Sequence, residues 1–324
     1  MRWPFVLACI PAAYLLVAGG LILSQGADAP LPGDGGLDFA GVLSGDAPTV
    51  RDPVPVTMRD GTDLPVRLYG EAGTGPLVVM LHGSGWHGMQ LDGLATALSD
   101  AARIAVPDLR GHGADPQRRG DIDHEGQLEE DIADLIGALR APGQRVVLLG
   151  HSSGGGLAIR FAGGPHGGGI DGAVLLAPFI QHDAPTTRAD AGGWARPLVR
   201  RIVGLSMLNA VGITALDHLT AVRLAMPRQV LDGPLGATAT TGYSWRLVKG
   251  YAPRRAYRAD IAALPRFLLI AGREDEAFRA SEYEPLLSEA SGKGTYRLLD
   301  GTGHLDVVDD PATVALARDF IADP

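Results

Sequence analysis

Cysteine is almost missing: the chain has one, Cys9, among 324 residues. A single thiol closes no internal disulfide, so no disulfide scaffold holds this chain together, and the compartment stays open. A basic surplus is missing too. The net charge is −9, the opposite of the positive footprint that nucleic acid requires, so a nucleic-acid partner is excluded. Aromatics are sparse at 6%, and no low-complexity tract or repeat interrupts the sequence. What is present is globular: 46% hydrophobic and 20% charged residues, with 45 Gly and 23 Pro scattered as turns. The length suffices for one large domain with an insertion, or for two modest ones.

Charge is absent altogether from residues 3–23, a run preceded only by Arg2 and the amino terminus. About 20 apolar residues cross a bilayer core, so residues 1–23 are expected to form an N-terminal transmembrane anchor. The competing reading is a signal segment cleaved near Ala27-Asp28-Ala29, which would leave a secreted protein. Arg2 on one flank, against Asp28, Asp34 and Asp38 on the other, predicts a single-pass membrane protein. Its N-terminus would lie inside, and its catalytic domain in the periplasm or outside. Residues 24–50, rich in Gly and Pro, read as a linker.

Beyond it, runs at 54–58 and 64–69 flank Asp60-Gly61-Thr62-Asp63 and predict an antiparallel hairpin. Short unbroken apolar runs follow at 77–81, 104–106, 146–149, 173–177, 267–271 and 296–299. Continuous rather than alternating strands suit a parallel sheet covered on both faces. Helical stripes lie between them, the clearest being Leu128, Ile132, Leu135, Ile136 and Leu139, stopped by Pro142-Gly143. Asp310 and Pro311 open the last helix as N-cap and first-turn residue. The alternation predicts an α/β class: a doubly wound, mostly parallel sheet. The core is expected over residues 51–181 and 263–324. Residues 182–262 break the rhythm, with helix-like stretches at 197–208 and 216–226, and read as a helical cap inserted across the sheet's carboxyl edge. Between Phe179 and Leu264 eleven basic residues stand against five acidic ones.

Chemistry concentrates in four segments. Gly150-His151-Ser152-Ser153-Gly154 fits the nucleophile-elbow pattern Gly-x-Ser-x-Gly, directly after one buried strand and before a helix. Leu81-His82-Gly83-Ser84-Gly85-Trp86 closes the first parallel strand. Ala271-Gly272-Arg273-Glu274-Asp275-Glu276 offers three carboxylates after a strand, and Gly301-Thr302-Gly303-His304 places a histidine on a Gly-rich loop. The order Ser, acid, His is that of a serine hydrolase.

These residues resemble the α/β-hydrolase superfamily over nearly the whole chain after residue 50. Within it, His82-Gly83-Ser84-Gly85, Pro107-Asp108-Leu109-Arg110-Gly111-His112-Gly113, the elbow and Gly272-Arg273-Glu274-Asp275-Glu276 look like the lysophospholipase, monoacylglycerol lipase and serine-aminopeptidase-like group. Ser153 departs from it, standing where the lipases commonly have methionine. The resemblance implies Ser152 as nucleophile, His304 as base and Asp275 as the orienting acid; Glu274 or Glu276 would take that place if the turn were shifted. Backbone N–H groups of Ser84 and Ser153 would form the oxyanion hole. Asp108 and His112 are expected to be structural, and no metal or cofactor is expected.

The resulting expectation is an enzyme: a carboxylester hydrolase, lysophospholipase-like, that cleaves a lipid-like ester such as a lysophospholipid or monoacylglycerol through an acyl-enzyme. The expected partners are that small-molecule or lipid ester and the membrane, through the N-terminal helix. Arg196, Arg200, Arg201, Arg254, Arg255 and Arg258 offer either a solvated basic face or contacts to anionic headgroups. A serine aminopeptidase or a cofactor-free acyltransferase or perhydrolase could use the same three residues. From a different class, the chain could be a non-catalytic binding protein on the same fold.

Overall fold

The computed structural model describes residues 3–26, 36–41, 51–73 and 75–323. A first helix, α1 (Trp3–Leu23), precedes the strands β1 (Val54–Thr57), β2 (Asp63–Tyr69) and β3 (Leu77–Leu81). Helix α2 (Asp92–Ala97), β4 (Arg103–Pro107), α3 (Gln127–Leu139), β5 (Val146–His151), α4 (Ser153–Ala162) and β6 (Gly172–Leu176) then alternate. After an insertion, β10 (Arg266–Gly272), α9 (Tyr283–Ser288), β11 (Gly294–Leu299) and α10 (Pro311–Ala322) complete the chain.

Eight strands form one sheet in the order β1-β2-β4-β3-β5-β6-β10-β11. β1 and β2 pair antiparallel through the predicted hairpin, β2 meets β4 antiparallel, and every later pairing is parallel. All residues of β3, β5 and β6 are buried. Apolar runs without alternation therefore became central strands with helices on both faces. From β3 the chain steps outward to β4 and then returns to β5 on the other side. Such a reversal opens a crevice at the carboxyl ends of the two diverging strands.

The insertion carries β7 (Ala195–Pro197), α5 (Val199–Ala210), β8 (Thr220–Leu224), α6 (Arg228–Leu231), β9 (Gly242–Ser244), α7 (Trp245–Tyr251) and α8 (Tyr257–Ala263). It is not purely helical: β7, β8 and β9 make a second, antiparallel sheet. The stretch at 216–226 is therefore a turn and strand, with Ala221 and Leu224 turned inward. Strands of three to five residues, half-exposed, carry too little apolar pattern to announce themselves.

The membrane-spanning expectation at the N-terminus is overturned, because among the described residues no helix is long and apolar enough to cross a membrane. The C-terminal half of α1 lies against α5 instead. That stretch is used for packing. Ala18 and Ile22 of α1 are buried against Leu205 and Leu208 of α5, and the Tyr14 hydroxyl donates to the Met207 carbonyl at 2.9 Å. The expected linker falls mostly outside the described residues, but residues 36–41 within it lie against the folded body, with Phe39 buried in the main core.

Candidate active site

β5 ends at His151 and α4 begins at Ser153, so the turn between them is the single residue Ser152, with φ 53° and ψ −119°. A side chain held there costs on the order of 1–3 kcal/mol, and it persists only where the surroundings fix it. They do. Ser152 N–H donates to the Leu176 carbonyl at 2.9 Å, and its own carbonyl accepts from Gly156 and Phe179 at 3.0 and 2.9 Å. The flanking glycines are required by space. A Cβ on Gly150 would overlap the Gly154 carbonyl, and one on Gly154 would overlap that of Leu81.

The elbow aims the Ser152 hydroxyl at His304, with Oγ 3.0 Å from Nε2; on the far side of the ring, Nδ1 lies 2.8 Å from Asp275 Oδ2. Asp275 also accepts the amides of Ala277 and Phe278 at 2.8 and 2.7 Å, so its carboxylate is fixed in the acceptor role. With Nδ1–H donating to Asp275, the Nε2 lone pair faces the hydroxyl, the tautomer a base needs. All three side chains are buried. Of the three neighbouring acids, Asp275 meets the ring. Glu274 and Glu276 instead accept the backbone N–H groups of Thr302 and His304, at 3.1 and 2.8 Å, and hold the histidine loop.

A second histidine supports the first. His151 Nε2–H donates to the His304 carbonyl at 2.9 Å while Nδ1 accepts from Gln90, 3.0 Å away. Gln90 Oε1 in turn accepts from Gly83 N–H at 2.7 Å. Burial above all, and then the neighbouring His304, lower the His151 pKa to about 3, so it stands neutral as a spacer.

The loop after β3 passes so close to the elbow that a Cβ on Gly83 would lie 3.4 Å from Ser152 Cβ. Ser153 is the first residue of α4, where N–H groups have no intrahelical acceptor. Among the described residues neither the Ser84 nor the Ser153 amide has an intramolecular acceptor. The insertion grips this loop through side chains that carry no sequence motif. Trp194 donates its indole N–H to Ser84 Oγ at 3.0 Å, and Tyr243 Oη accepts Gly85 N–H at 2.6 Å. The Tyr251 hydroxyl donates to the His82 carbonyl. The Tyr243 hydroxyl donates to His112 Nε2 at 2.7 Å, and His112 Nδ1–H donates to the Arg110 carbonyl at 3.1 Å. Burial lowers the His112 pKa to about 4. Asp108 accepts from Arg67 at 2.7 Å and from Gly88 N–H at 2.8 Å. Asp108 and His112 thus shape the loop rather than face the cleft.

Almost no open space remains beside Ser152, where Leu37, Trp86, Trp194 and Leu305 form apolar walls. Among the described residues no group of three or more His, Cys, Asp and Glu is placed to hold a metal ion. The insertion's arginines work largely as internal clasps. Arg254 pairs with Glu129 at 2.6 Å and Asp260 at 2.9 Å, and Arg258 pairs with Glu289.

Comparison with known proteins agrees with this architecture. Residues 78–317 match the family described as the Alpha/beta hydrolase family. An uncharacterized protein of Mycobacterium tuberculosis is 26% identical over 281 residues, covering 81% of this chain and 80% of that one. Protein phosphatase methylesterase 1 of Mus musculus is 26% identical over 214 residues, covering 60% of this chain and 46% of its own length. A soluble variant of monoglyceride lipase from Saccharomyces cerevisiae superposes with a TM-score of 0.65 at 16% identity, covering 90% of this chain and 98% of that chain.

Proposed function

We propose, from the premise that this chain belongs to the alpha/beta hydrolase family, that it hydrolyses carboxylic esters with Ser152 as nucleophile, His304 as base and Asp275 as orienting acid. One observation carries the reading: the hydrogen-bonded line from Ser152 Oγ through His304 to Asp275, at 3.0 and 2.8 Å. His304 takes the hydroxyl proton as Ser152 Oγ attacks the ester carbonyl carbon. Asp275 keeps the ring in its tautomer and stabilises the imidazolium. The Ser84 and Ser153 amides receive the developing oxyanion, and one such donor is worth about 100- to 1000-fold in rate. His304 then returns the proton to the departing alcohol. Water activated by the same ring attacks the acyl-enzyme and frees the acid and Ser152.

The apolar walls of the cleft favour an apolar acyl group, and a lipid-like ester such as a monoacylglycerol or lysophospholipid is the class we assign. A methyl ester is the second reading, supported by the small cleft and by the methylesterase among the relatives. An aminopeptidase needs an acid to receive the substrate amine, and among the described residues no carboxylate lines the cleft. A fluorophosphonate probe is expected to label the wild type and not Ser152→Ala. A panel of p-nitrophenyl esters of rising acyl length, run beside aminoacyl anilides, is expected to show turnover of esters. Preferential cleavage of the anilides, or equal labelling of both proteins, removes the assignment.

A further inference from the structure

Residues 36–41 follow α1 by a dozen residues in sequence, yet they lie across the Ser152 cleft. We propose that they form a strap that closes the acyl side of the cleft and sets the length of ester the protein takes; this deepens, and rests on, the esterase reading above.

The strap is attached at both ends. Gly36, at φ 39°, packs on the Gly192 carbonyl of the insertion so tightly that any side chain would overlap it. Gly41 lies against the Asp306 carboxylate, just past the histidine loop, where a Cβ would come within 2.7 Å of Oδ1. Between them, Asp38 N–H donates to Glu276 Oε1 at 3.0 Å, while the other oxygen of that carboxylate holds His304 N–H at 2.8 Å. Asp38 closes a local turn by accepting Ala40 N–H at 2.8 Å.

Two side chains point inward. Phe39 is only 5% exposed; it stacks on Trp86 with ring centres 5.8 Å apart and tilts against Trp194 at 5.9 Å. Leu37 shares the cleft wall with Ser84 and Ser152. With the strap seated, no cavity large enough for a water molecule is left beside Ser152 among the described residues. A short acyl group must therefore push Leu37 aside, and a longer one must displace Phe39 as well. Displacement leaves Glu276 bonded to His304, so the catalytic loop keeps its shape when the strap lifts. Trp194 links the strap to the oxyanion loop, since it touches Phe39 and donates to Ser84.

The test compares kcat/KM for p-nitrophenyl acetate and p-nitrophenyl decanoate in the wild type, Leu37→Gly, Phe39→Ala and Phe39→Leu, with circular dichroism and thermal melts as fold controls. Removing wall from an apolar pocket is expected to raise the decanoate-to-acetate ratio in Leu37→Gly and Phe39→Ala by about tenfold or more. Phe39→Leu, which refills part of the space, is expected to fall between them and the wild type. Should Phe39→Ala fail to fold, Leu37→Gly decides alone. A fluorophosphonate-labelled wild type whose ratio is unaltered in folded variants overturns the strap and leaves the esterase standing. A wild type that no fluorophosphonate labels overturns both.

Discussion

Ser152 keeps its strained backbone angle whichever small side chain it carries, because neighbouring carbonyls and amides hold the turn. Ser152→Ala is therefore expected to fold as the wild type does while losing roughly 10⁵-fold or more in kcat, read by ester turnover with a melting curve as control. Tyr243 is a subtler case, for it never faces the cleft. It holds Gly85 N–H next to Ser84, the proposed oxyanion donor. Tyr243→Phe is expected to lower kcat by roughly tenfold with KM little changed, as befits a donor that is misplaced rather than removed. A KM effect alone would mean that the tyrosine serves binding instead. The buried histidines supply a pH dependence. Desolvation holds His82 well below its ordinary value, His112 at about 4 and His151 at about 3. The unfolded chain takes up these protons below about pH 6.5 and the folded chain does not, so stability is full above that pH and declines as pH falls toward 4. At pH 5 the loss is about 2 kcal/mol each for His112 and His151. Urea unfolding at pH 7.5 and pH 5 measures it, and equal midpoints would contradict it.

The β5–Ser152–α4 elbow shows what can be read at the scale of elements. Its strand was legible as a continuous apolar run, and its turn as two glycines whose neighbours leave no room for a Cβ. Gly154→Ala is expected to push α4 from the Leu81 carbonyl and cost about 1–3 kcal/mol, visible as a lower urea midpoint. The central strands β3, β5 and β6 were legible for the same reason, since burial on both faces writes itself into composition. Asp310 also caps α10 as its sequence implied, accepting from Ala312 N–H at 2.8 Å. The insertion was not legible in this way. β8 pairs with β7 and β9 across intervening helices, and of Thr220-Ala221-Val222-Arg223-Leu224 only Ala221 and Leu224 are buried, so no continuous apolar run marks the strand. Residues 3–23 show the opposite failure. Uncharged length alone suggested a bilayer, but Gly204 lets α1 approach α5 so closely that a Cβ there would meet the Ala18 carbonyl at 2.6 Å. The small residue that permits this contact lies about 180 positions away in the sequence, and no local pattern reveals it. The same distance hid the grip of Trp194, Tyr243 and Tyr251 on the loop after β3.

Across the whole molecule, the core and the insertion are joined by charge as well as by apolar contact. Glu129 on α3 is buried and accepts from Arg160 on α4 at 2.7 Å and from Arg254, ahead of α8, at 2.6 Å. Arg160 extends the junction by donating to the Lys249 and Ala252 carbonyls at 2.9 and 3.2 Å. Glu129→Gln leaves two guanidinium groups facing a neutral partner, and breaking a buried pair in this way costs about 3–5 kcal/mol. Its thermal midpoint is expected to fall sharply, and a change within error would show the junction to be apolar alone. The placement of Phe39 has an optical consequence as well. Two of the chain's four tryptophans, Trp86 and Trp194, flank that ring. Intrinsic emission excited at the indole band therefore reports whether the ring is seated, without any attached dye. Phosphonylation of Ser152 by a long-chain fluorophosphonate, with loss of fluoride, should shift that emission to the red and open it to acrylamide quenching, while a methyl fluorophosphonate should leave the spectrum where it was.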